Sequence, residues 1–158
     1  MVASAPTVGS NYERYEWKGV NFGLIDIGGQ TSLRSSWSQY FVGTSAIILV
    51  IDSSDAGRLP LAKAELDKLT QAEVRLFFCI DRSSAHKQEL KSSLLLVLAN
   101  KQDLPLGQGR LTPAQVSEAL GLTDLRQREW QIMGCSALTG EGLMEGMDWM
   151  VSKLAASG

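Results

Sequence analysis

Polar and glycine residues follow the apolar stretch Val20–Ile25 in a pattern that suits phosphate and metal chemistry. Asp26 falls where a strand would end, and its carboxylate is the hard oxygen ligand that Mg²⁺ prefers. Gly29 has no Cβ, so its backbone N–H can approach a terminal phosphate closely. Gln30 carries a donor and an acceptor with which to orient an attacking water. An ordinary turn after a strand uses the same residue types, so both interpretations stay open on this stretch alone.

Two further polar loops follow apolar runs that are typical of strands. Asn100–Asp103 begins at the end of the run Leu94–Asn100, and Ser136–Leu138 comes directly after the run Trp130–Cys135. In α/β folds with a parallel sheet, ligands bind at the carboxyl ends of the strands. We therefore expect these two loops and the loop at Asp26–Gln30 to converge on one site.

The elements that must position these loops alternate between strand and helix patterns. Tyr12–Trp17 and Val20–Ile25 predict a β-hairpin. The continuous apolar run Ser45–Asp52 predicts a strand that is buried on both faces. Helical spacing is found at Ser32–Tyr40, Leu59–Leu69, Thr112–Leu120 and Leu143–Leu154. The alternation predicts one three-layer α/β domain over residues 1–158, with a mostly parallel sheet.

Length and composition describe one ordinary folded domain. The chain has 158 residues, of which 44% are hydrophobic and 20% charged, which is enough for a core but not for a second domain. A net charge of −2 predicts no nucleic-acid partner. His86 is the only histidine in the sequence, so a Ser-His-Asp triad or a multi-histidine metal site is not expected.

Signals for compartment and membrane favour the cytoplasm. Cys79 and Cys135 lie in apolar surroundings without metal-like spacing, which suits a reducing compartment and predicts no disulfide. The N-terminus has no basic region followed by an apolar run, and Val2 stands where N-myristoylation requires a glycine. We therefore expect a cytoplasmic protein with no intrinsic membrane anchor, which reaches a membrane only through a partner.

Three motifs, in this order, resemble the guanine-nucleotide site of small GTPases: Asp-Ile-Gly-Gly-Gln at 26–30, Asn-Lys-Gln-Asp at 100–103 and Ser-Ala-Leu at 136–138. Two longer stretches resemble the ADP-ribosylation-factor-like (Arf/Arl) family, and most of all its fifth subtype. They are Pro-Thr-Val-Gly-Ser-Asn at 6–11 and Ser-Ala-Leu-Thr-Gly-Glu-Gly at 136–142. The resemblance runs from Pro6 to about Leu154. It implies a P-loop GTPase-like fold.

The resemblance assigns residues to the nucleotide base. Asp103 would accept hydrogen bonds from the guanine N1–H and exocyclic amine, which adenine cannot offer, and would therefore carry base specificity. Lys101 would lay its aliphatic stem along the purine face, although a loop lysine is often simply solvated. Asn100 would tie the base edge to the neighbouring loop. The backbone N–H of Ala137 would reach the guanine O6, and Ser136 belongs to the same nucleotide-binding loop.

The resemblance also assigns phosphate, metal and catalytic residues. Thr7 matches the switch threonine that offers its hydroxyl to Mg²⁺ and senses the third phosphate, although a threonine after proline is also a common turn residue. Asp26 would be the second residue at the metal. Gly29 would contact the terminal phosphate, and Gln30 would position the water that attacks it.

These assignments imply a molecular switch that binds GTP or GDP with Mg²⁺ in intracellular vesicle traffic. Exchange factors, activating proteins and effectors would bind through Thr7–Tyr40, and the resemblance implies association of a cytoplasmic protein with Golgi membranes. The alternative is a nucleotide-free pseudo-GTPase, an interaction module that keeps the switch hairpin and its partner surface without turnover.

The sequence departs from the family pattern in two places. No Gly-x-x-x-x-Gly-Lys-Ser/Thr motif occurs in the 158 residues, so we expect the first strand, phosphate loop and first helix of the fold to be missing and GTP hydrolysis to be in doubt. The second departure is an insert at about residues 70–85. We expect it to form an exposed loop, or to place Leu76–Ile80 as a strand in a gap between Val20–Ile25 and Ala46–Asp52.

Overall fold

The computed structural model describes residues 9–40, 43–79, 93–106, 109–126 and 128–157. The strands are β1 (Ser10–Trp17), β2 (Val20–Ile27), β3 (Ala46–Asp52), β4 (Leu94–Asn100) and β5 (Trp130–Gly134). The α-helices are α1 (Leu59–Cys79), α2 (Pro113–Leu120) and α3 (Leu143–Ser157), and a 3-10 segment at Arg34–Tyr40 follows β2. Within these ranges no helix is long and apolar enough to cross a membrane.

Strands β3, β4 and β5 form a parallel sheet in that order, with β4 in the centre. The register places Asp52, the last residue of β3, opposite Asn100, the last residue of β4. On the other side of β4, Ala99 lies opposite Gly134 at the end of β5. The three strands therefore deliver their following loops to the same edge of the sheet.

Alternate residues of β4 belong to two hydrophobic clusters on opposite faces of the sheet. Leu95, Val97 and Ala99 pack with residues of α1 and α2, whereas Leu96 and Leu98 pack with residues of α3. All five side chains are buried. Helices thus cover both faces of the sheet, and the predicted three-layer α/β fold is confirmed.

Strands β1 and β2 form the predicted hairpin, as a separate two-stranded antiparallel sheet. Both turn residues have positive φ, 50° at Lys18 and 77° at Gly19, as a type I′ turn requires. The tip is attached to α3, because Trp17 Nε1 donates to Asp148 Oδ1 at 2.8 Å and Lys18 Nζ lies 2.7 Å from Asp148 Oδ2. Hydrogen bonds from Lys18 and Trp17 hold the pKa of Asp148 below its ordinary value. This attachment fixes the tip of the hairpin to α3.

The prediction for the segment after Leu69 is wrong wherever the structure describes it. Helix α1 continues to Cys79, so residues 70–79 form neither an exposed loop nor a strand. The stretch from Thr70 to Cys79 contains no glycine or proline and includes good helix formers such as glutamine, alanine, glutamate, arginine and leucine, so nothing in it stops the helix. The remainder of the predicted insert, residues 80–85, lies outside the described residues.

A reciprocal cap fixes the start of α2, the helix that the spacing over Thr112–Leu120 predicted. Thr112 Oγ1 accepts the backbone N–H of Gln115 at 3.3 Å, and Gln115 Oε1 accepts the backbone N–H of Thr112 at 2.9 Å. Pro113 lies in the first turn, where its missing N–H costs nothing. The helix therefore begins at a defined residue beside the loop that follows β4.

Replacing Thr112 with alanine is expected to lower the free energy of unfolding by about 1 kcal/mol, because the capping oxygen is lost. Urea unfolding followed by circular dichroism measures this difference. Thr123→Ala is the matched control, since Thr123 is exposed in the turn after α2. Equal unfolding midpoints for the two variants would contradict the role of the cap.

Candidate functional site

Asn100 joins the loop after β4 to the loop after β5. Its Oδ1 accepts the backbone N–H of Lys101 at 2.8 Å and the backbone N–H of Ala137 at 2.9 Å. The two loops come from neighbouring parallel strands, so one short side chain at a strand end can reach both. The structure shows the contact of Asn100 with the neighbouring loop, and its predicted contact with the base edge stays a prediction.

Asp103 is held by the same pair of loops. Ser136 Oγ donates to Asp103 Oδ1 at 2.6 Å and accepts the backbone N–H groups of Leu138 and Thr139, each at 3.2 Å. Ser136 is buried, whereas Asp103 is exposed. A buried hydroxyl therefore orients a carboxylate that faces solvent, where it can accept further hydrogen bonds from a ligand.

A close backbone crossing shapes the loop after β5. Gly142 has φ +74°, and a Cβ at this position would lie 2.0 Å from the carbonyl oxygen of Gly134. Only glycine permits both the left-handed conformation and the approach. The loop that carries Ser136 and Ala137 is thus closed tightly against the end of β5.

Lys101 adopts a conformation that is unusual for its residue type. Its φ is +69°, in the left-handed region, which costs a non-glycine residue roughly 1–2 kcal/mol. Its Nζ lies 2.6 Å from Asp52 Oδ2 at the end of β3. Asp52 Oδ1 in turn accepts the backbone N–H of Ser54 at 2.9 Å and its hydroxyl at 2.6 Å. The lysine side chain is therefore directed across the carboxyl edge of the sheet from β4 towards β3.

The pKa of Asp52 is lowered by this arrangement. Burial acts to raise the pKa, but the hydrogen bonds from Lys101 and Ser54 outweigh it and bring the pKa below 3.8, the ordinary value. A carboxyl with a lowered folded-state pKa stabilises the fold above its unfolded-state pKa, and this contribution is lost as the pH falls through the folded-state value.

Asp52→Asn is therefore expected to reduce the loss of stability on acidification below about pH 4. Urea unfolding between pH 7 and pH 3 measures the effect. Lys101→Gln removes the partner and should flatten the same part of the pH profile. If both variants follow the wild-type pH dependence, the ion pair between Asp52 and Lys101 does not contribute in solution.

Gln102, the variable position of the Asn-Lys-x-Asp motif, connects three neighbouring segments. Its backbone N–H donates to the Cys135 carbonyl at 2.9 Å, and its Nε2 donates to Ser53 Oγ at 3.0 Å and to the Leu111 carbonyl at 3.1 Å. Ser53 is fully buried. Gln102 thus links the loops after β3 and β5 and the segment before α2 underneath the residues that face solvent.

The loop after β2 is held by side chains of the 3-10 segment. Trp37 Nε1 donates to the Gly28 carbonyl at 3.2 Å, and Arg34 Nε donates to the Gly29 carbonyl at 3.0 Å. The backbone N–H of Gly28 donates to the carbonyl of Gly9, the residue before β1, at 3.1 Å. Gln30 follows these contacts and is exposed.

The residues predicted to bind Mg²⁺ are described only in part. Asp26 is exposed in β2, one residue before the strand ends, whereas Thr7 lies outside the described residues. In the part of the chain that the structure describes, no group of three or more His, Cys, Asp or Glu side chains could hold a metal ion. Asp26 and Glu13 line one shallow depression on the hairpin. A site with one or two protein carboxylates fits Mg²⁺ as it is usually bound beside nucleotides, where phosphates and water supply the other ligands.

The structure thus groups the predicted residues into two sets. Hydrogen bonds join the base-site residues, namely Asn100, Lys101, Asp103, Ser136 and Ala137. Gly29 and Gln30 form the second set with Arg34 and Trp37, and the contacts named above do not link the two sets.

Sequence reasoning missed Asp52, Gln102, Arg34 and Trp37. The only sequence signal for Asp52 was that it ends a buried strand, as Asn100 does.

Nearly the whole chain matches known proteins in sequence. The model of the ADP-ribosylation factor family matches residues 1–80 and 82–154. ADP-ribosylation factor-like protein 5 of Caenorhabditis elegans is 47% identical over 155 residues, which cover 98% of this chain and 77% of that protein. ADP-ribosylation factor-like protein 5 of Dictyostelium discoideum is 40% identical over 99% of this chain and 76% of its own length. ADP-ribosylation factor-like protein 5A of Bos taurus is 40% identical over 98% of this chain and 76% of its own length.

The fold also matches a solved structure. The Arl6 BBS3 small GTPase of Trypanosoma brucei, with the bound nucleotide analogue GppNp, superposes with a TM-score of 0.78 at 29% identity, over 99% of this chain and 85% of that one. This agrees with the P-loop GTPase-like fold expected from the motifs. Sequence and fold lead to the same assignment, and the chain belongs to the ADP-ribosylation factor family.

Proposed function

We propose that the protein is a guanine-nucleotide-dependent switch of the ADP-ribosylation-factor-like type that acts in intracellular vesicle traffic. The observation that carries the proposal is the exposed Asp103 carboxylate, oriented by the buried Ser136 hydroxyl beside loops that Asn100 joins. A carboxylate fixed in this way matches the adjacent N–H donors on the guanine edge, which adenine lacks.

The neighbouring residues support a base-binding role. The ion pair with Asp52 directs the Lys101 side chain along the carboxyl edge of the sheet, so its methylene groups can cover one face of a purine. The Ala137 N–H donates to Asn100 in the structure. To reach the guanine O6 it must be shared with, or released by, that amide.

Phosphate binding and hydrolysis would take place at the loop after β2. Mg²⁺, when bound, neutralises phosphate charge, and Asp26 and Thr7 are the residues that would hold it. Gly29 N–H would donate to the terminal phosphate, and Gln30 would orient the attacking water in hydrolysis. Gly29 and Gln30 follow β2 of the hairpin, so loss of the third phosphate would change the conformation of the Thr7–Tyr40 surface. We propose that exchange factors, activating proteins and effectors bind this surface.

A titration with GDP and ADP tests this proposal. Backbone NMR signals of residues 100–103 and 136–137 should shift with millimolar Mg·GDP and remain in place with Mg·ADP. Equal shifts with the two nucleotides would reject guanine recognition. An absence of shifts with either nucleotide would favour the second candidate, a nucleotide-free interaction module.

One observation favours that second candidate. The face of the hairpin that carries Tyr12 and Ile25 is open, with these side chains 58% and 41% exposed. Large exposed apolar side chains on a rigid sheet are typical of a protein-binding surface. The module would bind partners through this face whether or not a nucleotide is present.

A further inference from the structure

The three carbonyl groups of the Gly28–Gln30 loop all accept hydrogen bonds. The Gly28 carbonyl accepts from Trp37 Nε1 at 3.2 Å, and the Gly29 carbonyl accepts from Arg34 Nε at 3.0 Å. The Gln30 carbonyl accepts the backbone N–H of Leu33 at 2.9 Å. The orientation of each peptide plane in this loop is therefore set by the residues of, and just before, the 3-10 segment.

These carbonyl contacts also determine where the N–H groups of the loop point, because each peptide unit is planar. In a planar trans peptide, the carbonyl of one residue and the N–H of the next point in opposite directions. The Gly29 N–H therefore points away from Trp37, and the Gln30 N–H points away from Arg34. Neither N–H has an acceptor among the residues that the structure describes, so both are available to an external oxygen.

Arg34 is itself fixed from the other side. Its Nη1 lies 3.9 Å from Oε1 of Glu65 on α1, and the two side chains are only 18% and 14% exposed. Glu65 also accepts from Lys68 Nζ at 3.0 Å. The guanidinium group is rigid and planar, so binding Glu65 through Nη1 and the Gly29 carbonyl through Nε fixes its position at two points.

We propose that Arg34, held by Glu65 of α1, is a positioning residue that sets the direction of the Gln30 N–H group towards the terminal phosphate, as Trp37 sets the Gly29 N–H through the Gly28 carbonyl. The inference rests on the proposed nucleotide function for its phosphate partner, but not for the loop geometry. Through Glu65, Arg34 connects the Gly28–Gln30 loop to helix α1. A lysine offers one nitrogen and cannot reproduce the two-point contact.

The first test measures the loop without nucleotide, by ¹⁵N relaxation of the Gln30 amide in the 158-residue chain. We expect order parameters near 0.85 in the wild type and below about 0.6 in Arg34→Ala and Arg34→Lys. Glu65→Gln should lower them as well, and serves if the Arg34 variants do not fold. Asp67→Asn is the matched control, because Asp67 forms an exposed ion pair with Lys63 on the same helix. Wild-type order parameters in folded Arg34→Ala or Glu65→Gln would overturn the proposal.

The second test measures the phosphate selectivity of the same variants. Arg34→Ala should weaken binding of Mg·GppNp about tenfold and change binding of Mg·GDP less than about twofold. A purely structural role would weaken both nucleotides equally, and that result would overturn the proposal. If the wild type does not distinguish GDP from ADP, the proposed function fails, and the relaxation experiment alone decides whether Arg34 sets the loop.

Discussion

The 158-residue chain is expected to bind GTP at least about four orders of magnitude more weakly than the same chain extended by the strand, phosphate loop and helix of the family pattern. A Gly-x-x-x-x-Gly-Lys-Ser/Thr loop gives several N–H groups and a lysine to the phosphates, and each charge-assisted bond is worth ~1.5–3 kcal/mol. Four such bonds amount to at least ~6 kcal/mol, and every 1.4 kcal/mol is about tenfold in affinity. In the proposed site, Asn100, Lys101 and Asp103 would contact only the base. Titration of both chains with a fluorescent GTP analogue measures the difference.

Two controls make this comparison specific to the phosphates. Replacing the loop lysine of the extended chain with alanine should weaken GTP binding and so remove much of the difference in affinity between the two chains. Gln30→Leu in the extended chain should leave GTP binding intact and slow hydrolysis, because in the proposed mechanism Gln30 would orient the attacking water and not bind the nucleotide. Submicromolar binding of GTP by the 158-residue chain would contradict the prediction. It would also mean that this chain has a phosphate site outside the residues assigned here.

The parts of the fold that the sequence predicts well are those set by local pattern. The continuous apolar runs predict both β3 and β4, and the residues of β4 lie in clusters on both sides of the sheet. The prediction that Ser45–Asp52 is buried on both faces is wrong in part, because in β3 only Ile51 is buried and Val50 is 58% exposed. Thr112 and Pro113 predict the start of α2, because capping depends on residues three positions apart. The motifs predicted for the base site are recognisable for the same reason, since each is short and follows a strand.

The parts that the sequence does not predict depend on contacts between distant residues. The ion pair between Asp52 and Lys101 joins the ends of two strands, and the contact between Arg34 and Glu65 joins a loop to a helix. Neither has a fixed spacing in the sequence. The length of α1 was missed for another reason, because residues 74–80 have the composition of a strand, whereas a helix that has already begun extends at low cost.

Replacing Asp103 with alanine in the extended chain is expected to weaken GDP binding at least about a hundredfold and to leave ADP binding unchanged. The carboxylate would accept two hydrogen bonds from guanine, and bonds to a charged group are worth ~1.5–3 kcal/mol each. Their loss removes at least ~3 kcal/mol, which corresponds to about two orders of magnitude. Isothermal titration with GDP and ADP gives both affinities on one protein. The ADP arm is essential, because a variant that had lost its fold would lose both nucleotides together.

Two further variants separate base recognition from general damage to the loop. Ser136→Ala removes the 2.6 Å hydrogen bond that orients Asp103 while keeping the carboxylate, so GDP binding should weaken by only about tenfold. Asp124→Ala deletes an exposed carboxylate in the turn after α2 and should bind GDP as the wild type does. If Asp103→Ala and Asp124→Ala have the same GDP affinity, guanine specificity does not reside in the Asp103 carboxylate. The assignment of the loop at Asn100–Asp103 to the base would then have to be abandoned.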